Sequence, residues 1–366
     1  MAVGLPLKTT YANGDVYSAS DVNDTNGTVN LFTSSTLSQA AGKNGVINGG
    51  YDIWQRGTSI SLAAGTSYTY MADRWQTLTG TGQACTISRQ SVSDATNLPN
   101  IQYCLRYQRN SGQTGTGTLY NVQSFETANS IPFAGKAITF SFYARKGANY
   151  SATSSTLAVN LDSGTGTDQN RLTGSYTGNV ALITSSATLT TTWQRFTFNA
   201  TVPTNATELC TFFGFTPTGT AGTNDYYEIT GVQLELGSTA TTFSRAGGNI
   251  QQELATCQRY YNRYSISAAP AYFLNGVARG GTVASCYFPA PVEMRIVPSS
   301  IDVSGFRIYN FSSGTAYTGG TTTLEAYNNK IFQVNYTHGS SVFTTGTNIL
   351  GGFDATSSYI GFSAEL

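Results

Sequence analysis

From Val46 to about Gly247 the chain runs in short stretches of alternating apolar and polar residues, split by Gly, Asn and Thr turns. In IQYCLRYQR (101–109), Ile101, Tyr103, Leu105 and Tyr107 share one phase, and Gln102, Cys104, Arg106 and Gln108 the other. In KAITFSFYARK (136–146), Ile138, Phe140 and Phe142 alternate with Thr139, Ser141 and Tyr143. In TTWQRFTFNATV (191–202), Trp193, Arg195, Thr197 and Asn199 oppose Gln194, Phe196, Phe198 and Ala200. QACTISRQ, TLAVNLD, LCTFFGFTP and DYYEITGVQLEL are runs of the same kind. A period of two places successive side chains on opposite faces of a half-buried antiparallel strand. Eight or so such strands in this length predict a two-sheet sandwich, with a jelly roll the leading choice.

The pattern changes at both ends. In residues 1–45, Ser20 or Asp21 is placed to cap a short helix carrying Val22, Val29 and Phe32, although Asn, Thr and Gly27 oppose it. This segment cannot bury a core alone and is expected to pack on a partner or on a copy of itself. At 249–261 the spacing turns helical. Asn249 is the expected N-cap, Gln252 follows three residues later, and Ile250, Leu254, Cys257 and Tyr261 recur on one face. Strand-like runs then resume in AYFLNGVARG, VASCYFPAP, SGFRIYNF, TLEAYNN, KIFQVNYT and SYIGFSAEL. The expected organisation is therefore mainly β: a segment 1–45, a jelly roll 46–247, a short linking helix, and a smaller β-sandwich domain within 248–366.

Composition narrows the function. The 366 residues carry no net charge, only 10% are charged and 12% are aromatic, with 23 Tyr. Disordered chains usually have high net charge and few aromatics. No basic excess exists to neutralise phosphates, so nucleic acid is not an expected partner. No apolar run is long enough to span a membrane as a helix, and no secretory signal opens the chain. The cysteines, Cys85, Cys104, Cys210, Cys257 and Cys286, are odd in number and widely spaced. They are expected to be buried unpaired thiols of a protein folded in a cytosol.

Catalytic signals are sparse. His338 is the single histidine, and no nucleophile elbow, phosphate loop or zinc-protease motif is present. Asp225, Glu228 and Glu235 form the one carboxylate group that resembles glycosidase chemistry. Glu228 and Glu235 are seven apart, so one continuous strand would point them to opposite faces. They are expected at exposed strand ends or as a Ca²⁺ ligand where strands meet a loop; no other cofactor is expected. Trp54, Trp75 and Trp193 are expected in the core. Aromatic rings stack on apolar sugar faces and amides bond hydroxyls. Such contacts are sought in the last domain, at Tyr264, Tyr272 and Tyr287, with Tyr260 and Tyr261 beside them.

Several segments carry a resemblance. NGGYDIWQRGTS (48–59) followed by YMADRW (70–75) resembles the opening of a β-sandwich of bacteriophage tail-fibre and other virion appendage proteins. DYYEITGVQLELGSTATTFSR (225–245) resembles its closing strand and exit, and NIQQELATCQRYYNRY (249–264) the segment that follows it. YFPAPVEMRIVPSS through SYIGFSAEL is similar to the C-terminal domain of those proteins, and GDVYSASDVNDTNGTVN (14–30) to tail-fibre attachment segments. The resemblance implies a virion structural protein made in the bacterial cytoplasm: a short tail fibre or spike with a jelly roll like a carbohydrate-binding module. It implies an intertwined or side-by-side homotrimer, with Leu254 a contact at the three-fold axis. The N-terminus would attach to other virion proteins, with Asp15, Asp21, Val22, Val29 and Phe32 as anchor residues. The C-terminal tip would meet a bacterial glycan or lipopolysaccharide, without membrane insertion. The alternatives are a tailspike depolymerase and an architectural adaptor or decoration protein. The chain departs from the family in having no long shaft.

Overall fold

The computed structural model describes residues 42–366 apart from 66, 67, 81, 99 and 327. The anchor residues Asp15, Asp21, Val22, Val29 and Phe32 lie outside the described residues.

The strands of the first unit are β1 (Ser59–Leu62), β2 (Thr69–Tyr70), β3 (Gln76–Leu78), β4 (Cys85–Ser91), β5 (Tyr103–Arg109) and β6 (Leu119–Ser124). They continue with β7 (Ala137–Lys146), β8 (Thr156–Gly164), β9 (Val180–Thr188), β10 (Gln194–Thr201), β11 (Glu208–Phe215) and β12 (Tyr226–Leu236). They form two six-stranded sheets, ordered β1-β4-β5-β12-β7-β10 and β2-β3-β6-β11-β8-β9. The antiparallel pairs β8–β9, β7–β10, β6–β11 and β5–β12 nest inside one another. A long hairpin of nested pairs wrapped over two sheets is a jelly roll.

The alternating phases are the reason. Leu105, Tyr107, Phe140, Phe142, Phe213 and Ile229 point between the sheets and are fully buried. Aromatics carry much of this core: Trp75 stacks on Tyr51 at 5.0 Å, and Phe142 meets Phe213 edge-on at 4.9 Å. Ile101 departs from the expected phase. It lies just outside β5, directly after the positive-φ residue Asn100 (φ 67°), and packs with Leu98, Cys104 and Trp193 on the outer side of the sheet.

The second unit contains β13 (Tyr261–Ser265), β14 (Ala271–Ala278), β15 (Val283–Pro289), β16 (Ser300–Ser304) and β17 (Phe306–Asn310). It closes with β18 (Thr315–Tyr317), β19 (Thr321–Ala326), β20 (Ile331–Thr337), β21 (Asn348–Phe353) and β22 (Tyr359–Ser363). A three-stranded sheet, β13-β22-β16, packs on a seven-stranded one, β18-β17-β21-β14-β15-β20-β19. Phe288, Phe306, Phe332, Ile360 and Phe362 fill the space between them.

A helix, Ile250–Gln258, joins the units. Asn249 caps it as expected, its Oδ1 accepting the Gln252 N–H at 3.0 Å. Tyr261 is not part of it but opens β13. Glu253 pins the helix to the jelly roll, accepting backbone N–H groups of Asn48 (2.5 Å) and Gly247 (2.6 Å). Cys257 and Tyr260 pack against Ile47 and Ile53.

The outer face of the three-stranded sheet meets the jelly roll. The Arg56 guanidinium lies 3.5 Å from the Tyr261 ring centre, and Arg263 donates to the Gln55 carbonyl at 3.0 Å. Glu365 accepts from both Arg56 and Arg74, while Arg295 bonds Asp168 at 3.0 Å. The layers thus run jelly roll, three-stranded sheet, aromatic core, seven-stranded sheet. The far face of the last sheet is turned away from the jelly roll.

Candidate functional site: an aromatic and amide face on the seven-stranded sheet

On each strand of the seven-stranded sheet one phase enters the core, and the other forms the far face. Phe306, Ile308, Ile349, Phe353, Cys286, Phe288, Phe332 and Val334 are buried inward. The outward phase forms rows fixed by register. Arg307 opposes Gly352, which opposes Tyr272. Tyr309 opposes Leu350, which opposes Asn275. Tyr287 opposes Gln333, which opposes Glu325. A bulge between Tyr272 and Leu274 returns Asn275 to the same face as Tyr272 despite the odd spacing.

The face has an aromatic end and a polar end. Tyr272 lies 5.4 Å from Tyr309, and Tyr309 meets Phe311 edge-on at 5.5 Å. Phe311 is 56% exposed and Tyr287 46%, high values for rings of this size. At the polar end Ser285 donates to Asn335 Oδ1 at 2.6 Å, and Gln333 donates to the same oxygen at 2.9 Å. Asn335 donates to Glu325 at 2.8 Å, and Arg279 pairs with Glu325 at 3.2 Å. This network fixes both amides: Gln333 is buried beneath it, and Asn335 stays half-exposed at the surface of the face. Rings that offer faces beside pre-oriented amides can stack on a flat neutral ligand and bond its hydroxyls.

Two of the three expected contact residues, Tyr272 and Tyr287, share this face. Tyr264 does not. It sits on the other sheet, edge-on to Phe288 at 5.2 Å, and its hydroxyl donates to the Pro289 carbonyl. Burial pushes its hydroxyl pKa up. Tyr260 and Tyr261 are buried at the joint between units. Leu254 is half-buried against the Ile47, Ile53, Cys257 and Tyr260 cluster of its own chain. Arg307, Tyr309, Phe311, Asn275, Gln333 and Asn335 were not singled out from sequence. The available signal was SGFRIYNF, in which both phases carry aromatics, one more than a core-facing strand needs.

The expected carboxylate placement is corrected. Asp225, Glu228 and Glu235 are buried, not exposed at strand ends. Asp225 bonds Arg109 at 3.1 Å and Ser151 at 2.8 Å. Glu228 is held by Arg106 and Arg145, each at 2.6 Å. Glu235 accepts from Thr241 at 2.6 Å and pairs with Lys43 at 3.2 Å. Glu228 and Glu235 also share one face of β12, because a bulge at Gly231 (φ 58°) shifts the phase. Tyr227 and Ile229 face the core before it, Val232 and Leu234 after it. Among the described residues no three His, Cys, Asp or Glu side chains are grouped to hold a metal ion.

Trp54 and Trp75 lie in the jelly-roll core, and Trp193 in the smaller cluster outside it. His338 accepts the Ser340 N–H at 3.2 Å and packs edge-on to Tyr317. All five cysteines are free and buried. Burial pushes the thiols of Cys85, Cys210 and Cys286 up to about 12. No helix among the described residues is long and apolar enough to cross a membrane.

No family model and no curated protein matches the chain. Among solved structures it is similar to a family 4 carbohydrate-binding module, at 17% identity, over 42% of this chain and 87% of that one, with a TM-score of 0.26. It is similar to the enzymatically active domain of tailspike protein 4 of bacteriophage CBA120, at 16% identity and a TM-score of 0.33. That match covers 53% of this chain and 21% of the tailspike chain. A family 61 carbohydrate-binding module in complex with β-1,4-galactotriose is similar over 53% of this chain and 99% of that one, at 11% identity and a TM-score of 0.30.

Proposed function

We propose that this chain is a bacteriophage virion appendage protein, a short tail fibre or spike, that holds a bacterial surface glycan on the far face of its C-terminal domain. The observation that carries the binding role is that face: Tyr272, Tyr287, Tyr309 and Phe311 are presented beside the half-exposed Asn335 amide, which buried Gln333 orients, on the side turned away from the jelly roll. The virion assignment rests on the ordered resemblance of the N-terminal segment, jelly roll, helix and C-terminal domain to tail-fibre proteins. Residues 1–45 attach to other virion proteins and the assembly is a homotrimer. Buried, high-pKa thiols suit a chain that folds in the reducing bacterial cytoplasm before it serves outside. The role is binding without cleavage. Glu228, Glu235 and Asp225 are buried and committed to Arg, Lys and Ser partners inside the jelly roll.

The test is adsorption of purified full-length protein to host cells. Pre-incubation with host lipopolysaccharide or capsule is expected to block adsorption, and the soluble glycan is expected to emerge at unchanged chain length. Adsorption that survives removal of surface glycan contradicts the reading; shortened glycan favours the depolymerase.

A further inference from the structure

Arginines in this molecule are neutralised or bonded almost without exception. Most lie on a carboxylate: Arg109 on Asp225 at 3.1 Å, Arg245 on Asp52 at 2.8 Å, Arg171 on Asp162 at 2.8 Å. Those without a carboxylate find oxygen acceptors, Arg195 at Ser141 and Thr241, Arg263 at the Gln55 carbonyl, Arg89 at the Asp52 carbonyl. Arg307 breaks the pattern. Among the described residues no carboxylate pairs with it and no oxygen accepts from it, and its Nε is buried with no partner. Its one specific contact is the Tyr272 ring, 4.5 Å from the guanidinium carbon.

The local construction holds it there. Between Arg307 and Tyr272 the sheet carries Gly352, which has no side chain to separate them; a Cβ at that position would lie 2.0 Å from the Ala271 carbonyl oxygen and 2.8 Å from Tyr272 Cα. Arg307 therefore reaches across the β21 strand to the Tyr272 ring. Tyr309 and Phe311 continue the same aromatic end of the face. The Nε is buried, as are the unpartnered Nε atoms of Arg74 and Arg195, but a guanidinium lying on a ring keeps its two terminal Nη donors free for an external acceptor.

We infer that the Arg307 end of the far face is an anion subsite that takes the carboxylate of an acidic sugar. This inference rests on the glycan-binding role proposed above and specifies its ligand class. A carboxylate accepts two N–H bonds from one guanidinium in a planar bidentate pair. The pyranose ring bearing that carboxylate then lies on Tyr309 and Phe311. Hydroxyls of further residues reach Asn275, Tyr287 and Asn335, with Gln333 bracing Asn335 from beneath. From β17 to β20 is four strand steps, about 19 Å at the usual strand spacing, so the face accommodates an oligosaccharide with its acidic residue at one end. With net charge zero on the chain, the selectivity comes from contact at Arg307 and not from long-range attraction.

The test uses full-length protein and bacterial capsular and lipopolysaccharide oligosaccharides as matched pairs, native and carboxyl-reduced. Binding is read by calorimetry or on a printed array. The wild type is expected to favour the carboxylated member of its best pair about tenfold or more, the scale of a charge-assisted bond. Arg307→Gln is expected to bind both members alike, at the level of the wild type on the reduced one. Arg307→Lys, which keeps the charge and loses the fork, is expected to recover part of the preference. Equal thermal midpoints for the three proteins separate a lost contact from a lost fold. Binding that ignores carboxyl reduction, or a preference that survives Arg307→Gln, overturns the anion subsite and leaves the glycan role standing. Failure to bind any member of any pair overturns the glycan role with it.

Discussion

Asp73 shows how far a buried carboxyl is stressed in this fold. It is fully buried and takes the Gln55 backbone N–H at 3.0 Å and the Gln55 side-chain N–H at 2.5 Å. Burial nevertheless lifts its pKa to about 6, more than the Arg56 charge and the Gln55 hydrogen bonds lower it. A carboxyl with a raised folded-state pKa binds its proton more tightly in the native state, so its contribution is greatest below the unfolded value and declines as pH rises. The stability advantage of wild type over Asp73→Asn is therefore expected to fall from about pH 4 to about pH 6 and stay level above. Urea unfolding of both proteins across that range measures it. Glu228 is the opposite case, an anion with two cationic partners. Glu228→Ala leaves Arg106 and Arg145 without their anion. Because both arginines are about one-third exposed and rehydrate, the expected loss is about 2 kcal/mol, below that of a fully buried pair. The shift in denaturant midpoint at constant slope measures it.

At the scale of the element, β12 is where local phase and global fold meet. Gly231 sits at φ 58°, a conformation that glycine adopts without strain. Its built Cβ would come within 2.9 Å of both Ile101 and Tyr143. Gly231→Val is expected to cost about 2–4 kcal/mol, from backbone strain and the clash together. Failure to lower the thermal midpoint by several degrees would argue against the bulge. The same bulge marks how much was legible beforehand. Long alternating runs such as KAITFSFYARK became β7 with Phe140 and Phe142 inward, and Asn249 capped the helix as its position requires. A glycine inside DYYEITGVQLEL was visible, but its shift of phase was not, so Glu228 and Glu235 were assigned to opposite faces. Strands such as β9, VALITSSAT, alternate too weakly to stand out, because most of their side chains face solvent or half-buried surroundings. The Tyr272, Tyr309 and Gln333 face was beyond the sequence for another reason: its rows join strands up to 80 residues apart, and local periodicity carries no register. Tyr264 illustrates the cost. Its phase on β13 is the one that the seven-stranded sheet covers, where it meets Phe288.

For the whole molecule, the joint between units governs how the far face is held. Glu365 accepts from Arg56 and Arg74, Arg295 spans to Asp168, and Arg259 pairs with Glu126 at 2.6 Å. This joint combines ion pairs with the small apolar cluster of Ile47, Ile53, Cys257 and Tyr260, in contrast to the larger aromatic interiors of the two units. Glu365→Ala is expected to uncouple them by about 2 kcal/mol, splitting one calorimetric transition into two. The jelly roll, with the helix pinned by Glu253, presents the C-terminal domain; the domain presents Tyr272, Tyr287, Tyr309 and Phe311 outward. The most direct test of that arrangement is the affinity of full-length protein for host surface glycan, measured for wild type, Tyr287→Ala, Phe311→Ala and the distant control Tyr226→Ala. Tyr287 and Phe311 substitutions are expected to weaken binding about tenfold each at unchanged thermal midpoint, and the Tyr226 substitution to leave it intact. Equal affinity of all four proteins would contradict the far face as the site of contact.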